Sequence, residues 1–298
     1  MGRCPARLGV IVSGRPDRDG HLCGRKNPGQ VPLQCRGMAR ILTIANQKGG
    51  VAKTTTTLTL GAALAELGER VLLVDLDPQA CLTFSCGVDP DGLELSLHDM
   101  FVRRKSASQV IVNLENFDLL PANIDLAGSE MHLLTKTGRE HALARALMPA
   151  RRHYDTILID CPPSLGVLTI NGLTAAEQVI IPMQCETLSH RGVGQLLETI
   201  EDVRAFTNSE LAIRGIVATM YDGRTRHSRE ILDAVTTQYQ LSVLEPPVRK
   251  SVRFAEAPQQ GKTILDAGAH PGADAYRAIA ATLHAEGPSA DDSPDGEA

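Results

Sequence analysis

The sequence predicts a doubly wound α/β fold, with a mostly parallel sheet flanked by helices, and three observations predict it. Short apolar runs alternate with helix-length segments from residue 40 to residue 285. Two of the runs, Val71-Leu72-Leu73-Val74-Asp75 and Thr156-Ile157-Leu158-Ile159-Asp160, are apolar until they close on an acid, the form of a strand buried on both faces. Aromatic residues make up 3% of the chain and Trp is absent, so the core is built from Leu, Ile, Val and Ala, as such a sheet requires. With 298 residues, 43% of them apolar, the chain is long enough for one large domain with a sizeable core or for two small ones.

The elements follow in order. Residues 1–37 carry Arg3, Arg7, Arg15, Arg18, Arg25, Lys26 and Arg36 against Asp17 and Asp19, with frequent Gly and Pro and no sustained period. They read as a disordered basic extension, and Met38, directly before the first strand, reads as the start of the working protein. The rival reading of the extension is a DNA-contacting arm. A strand over 40–45 runs into a glycine loop and a helix over 54–67. Strands follow at 71–75, 117–120, 156–160, 178–182 and 213–218. Helices are expected at 139–148, 167–176, 190–206, 228–239 and 273–285. Residues 38–286 thus form the folded domain, and 287–298, with Asp291, Asp292, Asp295 and Glu297 among Pro, Ser and Gly, form an acidic disordered tail.

Charge and cysteines narrow the function. The net charge of −5 gives the whole molecule no attraction for nucleic acid or anionic lipid, so binding of either needs a local basic patch. Seven cysteines, scattered and without a C-x-x-C pair, argue against a disulfide framework or zinc ribbon and point to a reducing cytoplasm. No apolar run reaches the roughly 18 residues of a membrane span.

The chemistry centres on Asn46-Gln47-Lys48-Gly49-Gly50-Val51-Ala52-Lys53-Thr54-Thr55. A strand, a glycine loop, Lys-Thr and then a helix make a phosphate cradle: backbone N–H groups converge at a helix start, where the dipole favours an anion. Lys53 adds a point charge for the outer phosphates, and the Thr54 hydroxyl can hold Mg²⁺. Gln47 and Ala52 stand where the usual G-x-x-x-x-G-K-[ST] pattern has glycines. Asp160 closes its strand before the rigid Cys161-Pro162-Pro163 and suits a magnesium ion held through its water shell. Asp77, followed by Pro78-Gln79, sits on a loop able to reach an attacking water. The ligand edge of a doubly wound sheet lies at the C-terminal ends of its strands, where the loop, Asp75, Asp77 and Asp160 all fall.

These residues carry a resemblance. Lys48 to Thr55, Val74-Asp75-Leu76-Asp77-Pro78-Gln79, Ile159-Asp160-Cys161-Pro162-Pro163-Ser164-Leu165-Gly166 and Pro182-Met183-Gln184-Cys185-Glu186 resemble the deviant Walker A P-loop NTPases of the ParA/Soj/MinD group. Val252-Arg253-Phe254-Ala255-Glu256-Ala257-Pro258 with Gly261-Lys262 resembles the ParA/Soj branch in particular, and the likeness covers about residues 39–285. It implies an ATPase with ATP and Mg²⁺ as cofactors. Lys48 would be the signature lysine reaching across an ATP-sandwich homodimer. Lys53 would bind the β and γ phosphates, with Gly49, Gly50, Val51, Ala52 and Thr55 lining them. Thr54 and Asp160 would hold the metal, and Asp77 would orient the water. Slow, partner-stimulated hydrolysis, non-specific DNA binding by the dimer, release by a ParB-like protein, a nucleoid-associated location and partitioning of a chromosome, plasmid or other cargo are implied with it.

Three departures qualify the match. Ala52 replaces the glycine before the lysine, and the expectation is that it has helical φ and tolerates its methyl; at positive φ it would cost about 1 kcal/mol or more. Val248-Arg249-Lys250 stands where relatives have Ile-Pro-Arg near the adenine. Of the arginines proposed for DNA in relatives, Arg224 fits the Asp222-Gly223-Arg224-Thr225 motif, while the register around Arg204 is off. Two basic clusters, Arg224, Arg226 and Arg229, then Arg249, Lys250 and Arg253, would make a sequence-blind, salt-sensitive DNA patch if both face one side. Cys161 and Cys185 read as buried small residues rather than iron–sulfur ligands. A MinD-like membrane cycle is the first competing function, and the Asp/Ser/Pro-rich end lacks the amphipathic basic helix it needs. A low-turnover nucleotide-gated scaffold, suggested by Ala52 and Arg249, is the second.

Overall fold

The structure is a computed structural model and describes residues 37–287 except 187, 188, 259 and 260. The expected basic extension and acidic tail lie outside the described residues, save Gly37 and Gly287 at their inner ends.

Seven strands form one sheet: β1 Arg40–Ile44, β2 Val71–Asp75, β3 Val112–Asn113, β4 Asp118–Leu120, β5 Thr156–Asp160, β6 Gln178–Gln184 and β7 Ala212–Thr219. Their order is β3-β4-β2-β5-β1-β6-β7, and all neighbours are parallel except the short edge strand β3, which is antiparallel to β4. The helices are α1 Lys53–Glu66, α2 Cys81–Ser85, α3 Leu97–Val102, α4 Ala107–Val110, α5 Leu126–Leu134, α6 Ala142–Leu147, α7 Val167–Ala175, α8 Ser189–Phe206, α9 Arg226–Tyr239, α10 Arg253–Glu256 and α11 Pro271–Ala285. The doubly wound, mostly parallel sheet is as expected.

Alternation of side chains along each strand splits the apolar runs between two cores. Leu72, Val74, Ile157, Ile159, Val179 and Ile181 face one, with residues of α3 to α9. Leu42, Ile44, Leu73, Leu158, Ile180 and Val217 face the other, with α1 and α11. A run that reads as uniformly apolar is therefore two interleaved faces, each covered by helices.

The structure refines several elements. The helix expected over 139–148 is a 3-10 turn at Arg139–His141 followed by α6. The short helices α2 to α5, between β2 and β5, add to the expected set. The strand expected to stop at Pro182 runs on to Gln184. Because β1 pairs with β6 only as far as Ile180, the proline lies where β7 is the one paired strand beside it. The strand expected over 213–218 is interrupted: Val179 pairs with Ile213 but Ile180 with Gly215, leaving Arg214 as the extra residue of a bulge.

Candidate active site

The C-terminal ends of β1, β5 and β2 lie side by side, with Ile44 opposite Asp160 and Asp160 opposite Asp75. This register brings the predicted loop and acids to one place. Beyond β1 the loop is anchored by the buried Asn46, whose amide donates to the Pro182 carbonyl (2.8 Å) and accepts from the Lys48 amide (2.9 Å). On the far side the Thr219 hydroxyl donates to the Val51 carbonyl at 3.0 Å. Gly49 and Gly50 are exposed, Gly50 has φ +75°, and a Cβ built at either meets nothing within 4 Å. The turn is open where an anion would sit.

Helix α1 starts without a side-chain cap, so its first N–H groups keep their capacity for an anion. The residue before it, Ala52, has φ 66° and ψ 37°. This corrects the expectation of helical φ: the chain must reverse between the exposed glycines and α1, and the left-handed conformation does it. Lys53 is buried, and its ammonium donates to the Lys48 carbonyl at 3.2 Å. Burial lowers its pKa, opposed by the negative charges of Asp160 and Asp77.

Asp160 is wholly buried. Its carboxylate accepts from the Thr54 hydroxyl at 2.6 Å and from the Thr57 hydroxyl at 3.3 Å. Burial first, then the nearby Asp75, pushes its pKa up to about 8, with Thr54 and Lys53 opposing. Asp75, also wholly buried, is raised to about 6 by burial. Asp77 is half-buried and accepts from the Gln79 amide at 2.9 Å, so it makes the turn expected of Asp-Pro while lying near Lys53. A site with converging N–H groups, one buried ammonium and a hydroxyl–carboxylate pair can take a polyanion together with a hard cation.

The other predicted residues fall outside this cluster. The Lys48 ammonium pairs with Glu186 at 2.7 Å, and Thr55 is half-buried on the first turn of α1. Arg224, Arg226, Arg229, Arg249, Lys250 and Arg253 are exposed, and Arg226 pairs with Glu230 at 2.6 Å. The two basic segments meet: Tyr221 bridges Arg249 in parallel, and its amide donates to the Val248 carbonyl at 2.9 Å. Arg204, the position out of register, donates to the Leu211 carbonyl at 2.7 Å and to Glu201. Cys161 is buried under Gly172 of α7 and Cys185 is buried at the end of β6. Burial raises both thiols, Cys185 to about 11. Sequence reasoning missed Asn46, Thr57, Thr83 and Glu186 as side chains that shape the loops; the Asn46 and Glu186 contacts span more than 130 residues, which no local pattern reports.

The fold and the loop define a P-loop NTPase. A family model described as an AAA domain matches residues 39–213. The sporulation initiation inhibitor protein Soj of Bacillus subtilis is 44% identical over 230 residues, 76% of this chain and 91% of that protein. The chromosome partitioning protein ParA of Caulobacter vibrioides is 42% identical over 230 residues, 76% of this chain and 86% of that protein. The chain belongs to the ParA/Soj family of P-loop ATPases. Among solved structures, one described as cobyrinic acid a,c-diamide synthase from Mycobacterium smegmatis, with bound ADP and magnesium, superposes with a TM-score of 0.74 at 53% identity, covering 83% of this chain and 94% of that one.

Proposed function

We propose that this chain is a ParA-type ATPase that dimerises on ATP, binds DNA without sequence preference and partitions a chromosome, plasmid or other cargo with a ParB-like partner. The observation that carries the reading is the Thr54–Asp160 hydrogen bond, set by the register of β1 and β5, with the Lys53 ammonium close enough to feel the Asp160 charge beneath an open glycine turn. ATP would lie with its phosphates against residues 48–55. Mg²⁺ would be held by Thr54 and Asp160, whose hydroxyl and carboxylate oxygens, 2.6 Å apart, are the hard donors it takes; when bound it neutralises phosphate charge. The nucleotide- and Mg²⁺-bound relative from M. smegmatis supports this assignment.

In this reading Lys53 neutralises the outer phosphates and the amides of residues 49–54 orient them, since phosphoryl transfer asks the protein chiefly for position and charge. Asp77 orients the attacking water. Lys48 leaves Glu186 to meet the nucleotide of a second copy. Arg224, Arg226, Arg229, Arg249, Lys250 and Arg253 contact DNA phosphates, a reading supported by the Tyr221–Arg249 bridge that joins their two segments beyond β7, and a dimer doubles the patch. Among the described residues no helix is long and apolar enough to cross a membrane.

The test is Mg²⁺-dependent ATP hydrolysis with and without duplex DNA, for the wild type and Lys53→Ala, together with DNA binding at low salt. Slow hydrolysis that DNA and a ParB-like partner raise and Lys53→Ala abolishes is expected. A wild type that neither hydrolyses ATP nor binds DNA at low salt refutes the reading. The M. smegmatis likeness motivates a second reading, amide synthesis on a carboxylic acid. That chemistry would consume ATP only with its acid and a nitrogen donor, so hydrolysis with DNA alone separates the two.

A further inference from the structure

Thr83 lies on the short helix α2, eight residues beyond Asp75, and both are 0% exposed. Its amide and its hydroxyl both donate to Asp75 Oδ2, at 2.8 and 2.7 Å. The same hydroxyl oxygen accepts from the amide of Ala122, just past the end of β4, at 2.9 Å. A hydroxyl has one proton, and a backbone amide can only donate, so the proton of Thr83 is committed to Asp75. Asp75 Oδ1 accepts from the amide of Asp77 at 3.2 Å. One carboxylate at the end of β2 therefore ties the loop 76–80 at both limbs, near its start through Asp77 and just past its return, on α2, through Thr83. Between them the loop turns at Ala80, with φ 53°, whose amide donates to the Asp77 carbonyl at 2.9 Å.

We infer that Thr83 is a positioning residue for phosphoryl transfer: acting through Asp75, and braced on Ala122, it holds the loop that carries the Asp77 carboxylate. The inference rests on the reading of the site as an ATPase. A group that orients an attacking water must be placed to within about 0.5 Å, and past the Leu76 amide, which donates to the Asp160 carbonyl at 3.0 Å, no strand pairing among the described residues holds this loop. Asp75 and Thr83 supply that hold from below. Among the described residues the hydrogen bonds of Thr83 run to Asp75 and Ala122 and none to the glycine turn or Thr54, so Thr83 acts on this loop rather than on the phosphate cradle.

Thr83→Val keeps the shape and the backbone amide but removes the hydroxyl; Thr83→Ser keeps the hydroxyl. Steady-state hydrolysis with Mg²⁺, ATP and duplex DNA, and equilibrium ATP binding, are measured on the full chain. Thr83→Val should lose about 10- to 100-fold in kcat while its Kd for ATP stays within about threefold, and Thr83→Ser should restore most of the rate. If Thr83→Val is not recovered folded, Thr83→Ala, which also removes the hydroxyl and leaves the charge of Asp75 in place, carries the same test with the same expectation. A kcat within twofold of wild type, a parallel loss of ATP binding, or a Thr83→Ser as slow as Thr83→Val overturns the inference. A wild type that does not hydrolyse ATP instead overturns the proposed function and the inference with it; a hydrolysing wild type beside an unimpaired Thr83→Val overturns the inference alone.

Discussion

At the scale of single residues the site holds two stresses. Ala52 sits at φ 66°, where a methyl group crowds the backbone that glycine would leave open. Ala52→Gly should therefore raise unfolding stability by about 1 kcal/mol, seen as a higher urea midpoint at an unchanged slope; no gain would mean the loop relaxes around the methyl. The second stress is electrostatic. Asp160 and Asp75 are buried acids with pKa values raised to about 8 and about 6. A carboxyl whose folded pKa lies above its unfolded value binds more protons folded than unfolded, so its contribution to stability is greatest below the unfolded pKa and is lost as pH rises through the folded one. For the nucleotide-free protein that window runs from about pH 4 to about pH 8. Asp160→Asn should melt several degrees higher than wild type at pH 8 without nucleotide, differ less at pH 5, and lose hydrolysis. Equal melting at both values would contradict the burial argument. Stability given up at a functional acid is common.

At the scale of elements, the bulge in β7 shows how a strand is shaped by its neighbour. Gly215 has φ +145°, and a Cβ there would lie 2.7 Å from the Ser242 carbonyl oxygen. That same carbonyl accepts from the Ile216 amide at 2.8 Å, so it cannot move away without losing a hydrogen bond. Gly215→Ala should cost about 2 kcal/mol through strain and steric overlap together, read as a lower denaturation midpoint; a loss under a few tenths would mean the 242 segment yields freely. An isolated glycine inside a strand pattern is a legible sign of a bulge, but Ile213-Arg214-Gly215-Ile216 reads equally as a continuous strand. Which reading holds depends on the backbone of residue 242. The missed helices α2 to α5 have the same origin. Each has nine residues or fewer, too short for a helical period to stand out, and two of them show their start only through capping boxes at Ser96 and Ser106.

At the scale of the whole molecule, two basic segments of an acidic chain adjoin. The chain carries a net charge of −5, yet the segments holding Arg224, Arg226 and Arg229 and those holding Arg249, Lys250 and Arg253 join through the Tyr221–Arg249 bridge. If this end of the sheet meets DNA phosphates, affinity should fall steeply with salt and be indifferent to sequence. Arg224→Ala with Arg249→Ala should then lower the slope of log K against log salt by about 2, roughly one for each phosphate that an arginine no longer neutralises. An unchanged slope would place the DNA face elsewhere. Arg204, by contrast, is tied to a carbonyl and to Glu201, so replacing it should affect the end of α8 more than DNA affinity.

The sequence by itself determined the fold class and named the residues of the candidate site. Apolar runs closing on acids specify buried parallel strands, and a glycine loop between a strand and Lys-Thr specifies a phosphate cradle, because both patterns are local and set by the periods of strand and helix. Only the tertiary structure decided the rest. It placed Ala52 in the left-handed region, paired Lys48 with Glu186, bulged β7 at Arg214 and joined Asp75 to Thr83 and Ala122. Most of these depend on a partner distant along the chain, and all depend on how the strands stand against one another. That arrangement is set by packing across two cores, and no window of the sequence records it.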